Sequence, residues 1–78
     1  MDDAELKQVL QAGLDDCEVE IQIDGNKVAL GLVSGAFAGL SRVKRQQLVY
    51  GLLKDRIESG EIHAVTMRTQ TPEEKAGD

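Results

Sequence analysis

One imidazole and one thiol, His63 and Cys17, are the side chains of this sequence best suited to nucleophilic, acid–base or soft-metal chemistry. Together they offer a thiolate–imidazole pair, with Cys17 as nucleophile and His63 as base. Cys17, however, opens a run in which Cys17, Val19, Ile21 and Ile23 alternate with Glu18, Glu20 and Gln22. That alternation places it on the apolar side of a half-buried strand, where a free cysteine acts as a small hydrophobe. No third residue completes a triad, so the sequence predicts no catalytic residue and no enzyme.

Other site chemistries meet similar limits. The spacings that hold a metal within one chain, Cys-x-x-Cys and His-Glu-x-x-His, do not occur. The adjacent acids Asp15-Asp16 and Glu73-Glu74 fall in a turn and at a helix start, where solvation and capping account for them. None of the eight glycines belongs to a G-x-G-x-x-G or Gly-Lys-Ser/Thr phosphate loop. Phe37 and Tyr50, the only aromatics, read as core or core-edge residues and not as a base-stacking platform.

Charge is distributed unevenly. The net charge of −5 divides into −7 over residues 1–24, +5 over 25–56 and −3 over 57–78. Only the middle segment can face an anion, and its strongest feature is Arg42, Lys44 and Arg45 in the first turn of a helix, where cations oppose the helix dipole. These three form the candidate nucleic-acid contact, on an exposed helix start. An acidic protein must orient such a patch to bind phosphates at all, so only weak DNA binding is expected.

The elements that position these residues follow from periodicity. Leu6, Val9, Leu10 and Leu14 recur at helical spacing behind Asp2 and Asp3, and predict a first helix to about Ala12, closed by Gly13 in the left-handed conformation. Cys17–Ile23 is the first strand. Val28, Leu30 and Leu32 repeat the alternation after Asp24-Gly25-Asn26, giving a hairpin whose loop must hold an even number of residues to set apolar against apolar. Ser34–Leu40 suits a single turn with Phe37 docked inward.

Ser41 caps the longest helix, with Val43, Leu48, Val49, Leu52, Leu53 and Ile57 as its apolar side and Gly60 at its close. Ile62–Thr69 forms a third strand whose buried face the pattern leaves open, and a crossover of this kind sets it parallel to a hairpin strand. Thr71-Pro72-Glu73-Glu74 starts a final helix, with residues 75–78 as a frayed tail. The expected architecture is a single α+β domain over 1–78, with its core over about 4–74 and the order αββαβ. Its three-stranded mixed sheet carries helices on one face. With 41% apolar residues the chain supports one small core, which favours a binding surface over a deep cleft. The lone cysteine, the lack of a charged-then-apolar leader and the lack of a long apolar run predict a cytoplasmic protein with no membrane role.

The run Ser41-Arg42-Val43-Lys44-Arg45-Gln46-Gln47-Leu48-Val49-Tyr50, followed by Ile62-His63-Ala64-Val65 and Thr71-Pro72, resembles the BolA family, and its wording is most similar to the IbaG (YrbA) branch. Phe37-x-Gly39 and the element order agree, so the resemblance spans about residues 4–74. It implies a fold like the class II K-homology (KH) domain and a non-enzymatic adaptor that pairs with a monothiol glutaredoxin in iron–sulfur cluster handling or iron-redox signalling. The alternative role in this family is DNA-binding transcription regulation.

His63 matches the family's hallmark histidine, implied to ligate a 2Fe-2S cluster shared with glutaredoxin and glutathione, and no cofactor is expected in the chain alone. The resemblance further implies a partner surface of Asn26, Lys27, His63 and Tyr50, together with the start of the long helix. The protein is expected to be a monomer or weak homodimer. Where related chains carry a second ligand, this one reads Asp24-Gly25-Asn26-Lys27-Val28, and a protonated lysine is no metal ligand. The K-homology GXXG clamp is also missing, since Gly39-Leu40-Ser41-Arg42 lacks the second glycine.

Overall fold

The computed structural model describes residues 2–77. Helix α1 spans Asp3–Gly13 and is capped by the Asp2 carboxylate, which accepts the Ala4 N–H at 3.0 Å. Leu6 and Leu10 form its buried stripe. The sequence placed a left-handed residue at Gly13, but that residue stays helical and the positive φ (44°) falls at Asp16. What Gly13 does provide is room: a Cβ there would press on the Leu52 side chain where α1 crosses the long helix.

Strands β1 (Glu18–Asp24) and β2 (Lys27–Val33) pair antiparallel, with Ile21 opposite Leu30 and Asp24 opposite Lys27. The loop is the two residues Gly25-Asn26, as parity required, and Gly25 at φ +60° occupies the first central position of a type II′ turn. Cys17 lies just before β1, buried as expected. After β2 comes a 3₁₀ turn, Gly35–Phe37, that seats Phe37 fully in the core.

Ser34, at the head of that turn, is itself wholly buried. Its N–H donates to the Gln70 carbonyl (2.9 Å), its hydroxyl donates to the Asp15 carbonyl, and it accepts from the Ala36 N–H (3.1 Å). One serine thus ties the α1–β1 turn to the ends of β2 and β3.

Helix α2 runs Arg42–Glu58, β3 runs Ala64–Gln70 and α3 runs Pro72–Ala76. The sheet order is β1-β2-β3, and β3 is parallel to β2 with Leu30 opposite Met67. Leu6, Leu10, Val28, Leu30, Leu32, Phe37, Val49, Leu53 and Ile62 share one core, with Val19, Ile21, Ile23, Val65 and Met67 packed against it. The helices therefore cover one face of the sheet. On β3 the Val65 and Met67 side is the packed one, while Ala64, Thr66 and Arg68 are exposed.

One further expectation changes. Val43 is 62% exposed and does not belong to the apolar side of α2. At 100° per residue it lies about 120° around the helix from Val49, outside the stripe that meets the sheet. Helix α3 runs through Ala76, into the stretch expected as a tail, with a complete capping box at Thr71 and Glu74 and a Lys75–Glu18 pair at 2.9 Å; Asp78 lies outside the described residues.

Leu53→Ala, at a fully buried position, is expected to cost about 2–5 kcal/mol in urea unfolding, whereas Val43→Ala should stay within about 0.5 kcal/mol of the parent. Similar losses at both positions would place the wrong face of α2 against the sheet.

Candidate functional site

The crossover returns the chain to the hairpin-turn end of the sheet. Helix α2 closes with Gly60 at φ +82°, whose N–H donates to the Ile57 carbonyl at 3.1 Å. Ile62 donates to the Arg56 carbonyl (3.1 Å) and is 1% exposed, so it anchors the chain immediately before β3. The next residue is His63. Its N–H donates to the Asn26 carbonyl at 2.7 Å, and the register then sets Ala64 opposite Lys27.

Three of the four partner-surface residues named from the sequence, Asn26, Lys27 and His63, are thereby brought together, all exposed. Tyr50 is 42% exposed but lies in the middle of α2. It shares a stripe with Val43, seven residues earlier, away from the core-facing side.

The chemistry available at the His63 rim is that of one exposed imidazole beside one ammonium. Among the described residues no three His, Cys, Asp or Glu side chains gather as a metal-holding group. Cys17 cannot join His63, because it precedes the far end of a seven-residue strand, roughly 20 Å away at the rise of an extended chain. Burial raises the Cys17 thiol above its ordinary range, against a backbone hydrogen bond from Val33, so it is not an activated nucleophile.

The start of α2 lies at the opposite end of the sheet. The Ser41 hydroxyl accepts the Lys44 N–H at 3.2 Å, and Arg42 and Lys44 are exposed as expected. Arg45 is not. Its Nε donates to the Leu40 carbonyl (2.9 Å), one Nη to the Thr69 carbonyl (3.2 Å), and both Nη atoms reach the Glu74 carboxylate at 2.6 and 3.0 Å. The side chain is 12% exposed and its guanidinium lies 6.0 Å from the centre of the Phe37 ring. Arg45 is a structural clamp between α2, β3 and α3, which corrects its assignment to an exposed nucleic-acid patch. The sequence carried the signal, since Arg45, Val49 and Leu53 follow at i, i+4 and i+8 on the buried face.

A groove of about 640 Å³ opens here, lined by Leu40, Arg42, Arg45, Gln46, Arg68 and Glu74. Helix α2, 17 residues long, spans about 25 Å at 1.5 Å per residue, which sets its start that far from His63 and the hairpin turn.

The two hydrogen bonds from Arg45, helped by the Thr71 N–H, hold the Glu74 carboxyl down at about 2. Because that midpoint lies below the unfolded value of about 4.3, the pair stabilises the fold above the unfolded midpoint and loses this contribution as pH falls through about 2. In an NMR titration, Arg45→Met is expected to return the Glu74 midpoint most of the way to the ordinary carboxylate range and to move acid unfolding to higher pH. An unmoved midpoint would mean the clamp is not formed in solution.

A family model described as BolA-like protein matches residues 10–74. Acid stress protein IbaG of Escherichia coli K12 is 41% identical over 78 residues, covering all of this chain and 93% of the relative. Among solved structures, the BolA domain of SufE1 from Arabidopsis thaliana superposes with a TM-score of 0.84 at 34% identity, covering 91% of this chain and 92% of that one. A BolA homologue from Coxiella burnetii gives 0.83 at 28% identity, covering 97% of each chain. The αββαβ order, the mixed three-stranded sheet and the full-length sequence similarity agree, and the chain belongs to the BolA-like family.

Proposed function

We propose that this protein is a non-enzymatic adaptor that docks on a monothiol glutaredoxin and supplies His63 as one ligand to a 2Fe-2S cluster carried between the two proteins. The single observation behind this reading is the exposed imidazole of His63, fixed at its backbone by Asn26 at the rim of the sheet. The donor set suits a shared cluster and not a resident one, because the one thiol, Cys17, is buried before the far end of β1 and no three His, Cys, Asp or Glu side chains gather among the described residues.

Imidazole in place of one thiolate raises the potential of such a centre when it is bound. The chain's own part is to orient His63: the 2.7 Å bond to Asn26 fixes the backbone, and buried Ile62 stops it from swinging. The partner surface on this reading is Asn26, Lys27 and His63, with glutathione supplied from the glutaredoxin side. Tyr50 would take part only if the partner also reaches the middle of α2.

Lys27 stands opposite Ala64, next to His63, and its ammonium adds no ligand. With the glutaredoxin of the same organism loaded with cluster, the complex is expected to show a visible circular dichroism spectrum that His63→Ala removes while part of the docking affinity remains. Lys27→His is expected to slow cluster loss severalfold through the added ligand. A spectrum and lifetime indifferent to His63→Ala would end this reading.

A second reading, weak DNA binding in transcription regulation, is favoured by one observation: Arg42 and Arg68 are exposed and line the same groove, with Lys44 on the adjacent turn. Arg45 is occupied by Glu74, so it is not part of this patch. Arg42→Glu with Lys44→Glu is expected to weaken any DNA binding severalfold and reduce its salt dependence, with unchanged thermal stability. Binding that keeps its salt slope in this variant excludes the patch.

A further inference from the structure

The two edges of the sheet are unlike. β3 is the outer strand on one side, and Arg45 occupies its Thr69 carbonyl. β1 is the outer strand on the other, and among the described residues no backbone bond from a loop or helix reaches it. The two-residue turn fixes which groups are free. Its closing pair, Asp24–Lys27, is hydrogen bonded, so by alternation Gln22–Ala29, Glu20–Gly31 and Glu18–Val33 are bonded too. The N–H and C=O groups of Val19, Ile21 and Ile23 therefore point outward along the edge. Their side chains lie on the helix side yet stay half-buried, whereas their partners Leu32, Leu30 and Val28 are fully covered.

Charge marks the same edge. A shallow groove between β1 and the first turns of α1 is lined by Asp2, Asp3, Ala4 and Lys7 beside Val19, Ile21 and Ile23. Among the described residues Lys7 is the cation lining this groove. The outward face of β1 adds Glu18, Glu20 and Asp24, of which Glu18 is paired with Lys75. Lys27 opposite Asp24 and Arg68, whose guanidinium lies over Gly31 on the Glu20 side, stand one or two strands in from the edge and form no ion pair with these acids. Such an edge is a template for strand addition: β1 has no proline, bulge or lysine, and its acids turn away a like-charged strand while leaving the edge open to a cationic one.

We propose that the β1 edge binds an extended cationic segment of a partner protein, which adds as a fourth strand. Its apolar side chains cover Val19, Ile21 and Ile23, and its alternate lysines or arginines meet Glu20 and Asp24 on the outer face. A second copy of this chain is the wrong occupant, because β1 against β1 sets Glu18, Glu20 and Asp24 beside their equivalents. The site is separate from His63, which lies across β2, just before the strand at the other edge.

The probe is a capped Lys-Val-Lys-Ile-Lys-Val-Lys peptide titrated into the ¹⁵N-labelled protein. Saturable amide shifts are expected at Val19, Ile21 and Ile23, with affinity reduced at least about fivefold by Glu20→Lys with Asp24→Lys. A peptide of equal charge, N-methylated on alternate amides, is expected not to bind. Ile21→Pro, which removes an outward N–H, provides a second loss-of-binding variant if its spectrum remains folded. The proposal is overturned by equal binding of the N-methylated peptide, by shifts confined to β3 or α2, by no saturation at millimolar peptide, or by concentration-dependent shifts of the protein alone.

Discussion

Strand β2 is the constraint on which the molecule depends. It pairs on both edges, antiparallel to β1 and parallel to β3, and its alternation sends Val28, Leu30 and Leu32 into the core. A slip of one residue against either neighbour would turn those side chains to solvent and bring Ala29 and Gly31 inward. The same register ends in the type II′ turn at Gly25-Asn26, which leaves the Asn26 carbonyl at the end of the sheet to receive His63. The position of the one exposed imidazole is thus a consequence of core packing several residues away.

At the opposite end the problem is different. Helix α2 begins with three cations that its own dipole opposes, and β3 ends on an open edge. Arg45 resolves both by turning inward: it takes the Leu40 and Thr69 carbonyls and binds Glu74 in two-pronged fashion. Thr71 and Glu74 in turn cap α3 reciprocally, so a five-residue helix, far too short to persist alone, is held by its ends. Arg42 and Lys44 are left as the solvent-facing charge of this end. Separating the two ends by the length of α2 keeps the imidazole rim and the cationic groove from acting on one small ligand.

The family relationship and the geometry bear on the same feature from different sides. A domain this small has a buried core of about a dozen side chains and holds its sites on rims and edges. His63 on the rim, the groove at the start of α2 and the bare β1 edge are three such surfaces, each built from different elements.

Much of this was legible in the residues because the relevant signals are local. Strict alternation over Cys17–Ile23 and Val28–Leu32, the parity of the loop, the Ser41 and Thr71 caps and the inward Phe37 all follow from period, capping chemistry and side-chain size. The wording around Val43–Tyr50 and Ile62–His63 carried the family. What only the tertiary structure decided depends on neighbours distant in sequence. Gly13 gives Leu52 room where the two helices cross, and Ser34 is buried because Asp15 and Gln70 come to it. Arg45 is a clamp because Glu74 lies within reach, and β3 packs Val65 against the core because β2 sets its register. The sequence determined which elements form and which residues are able to bind; the fold determined which of them remain free to do so, because a side chain's availability depends on partners brought to it by packing.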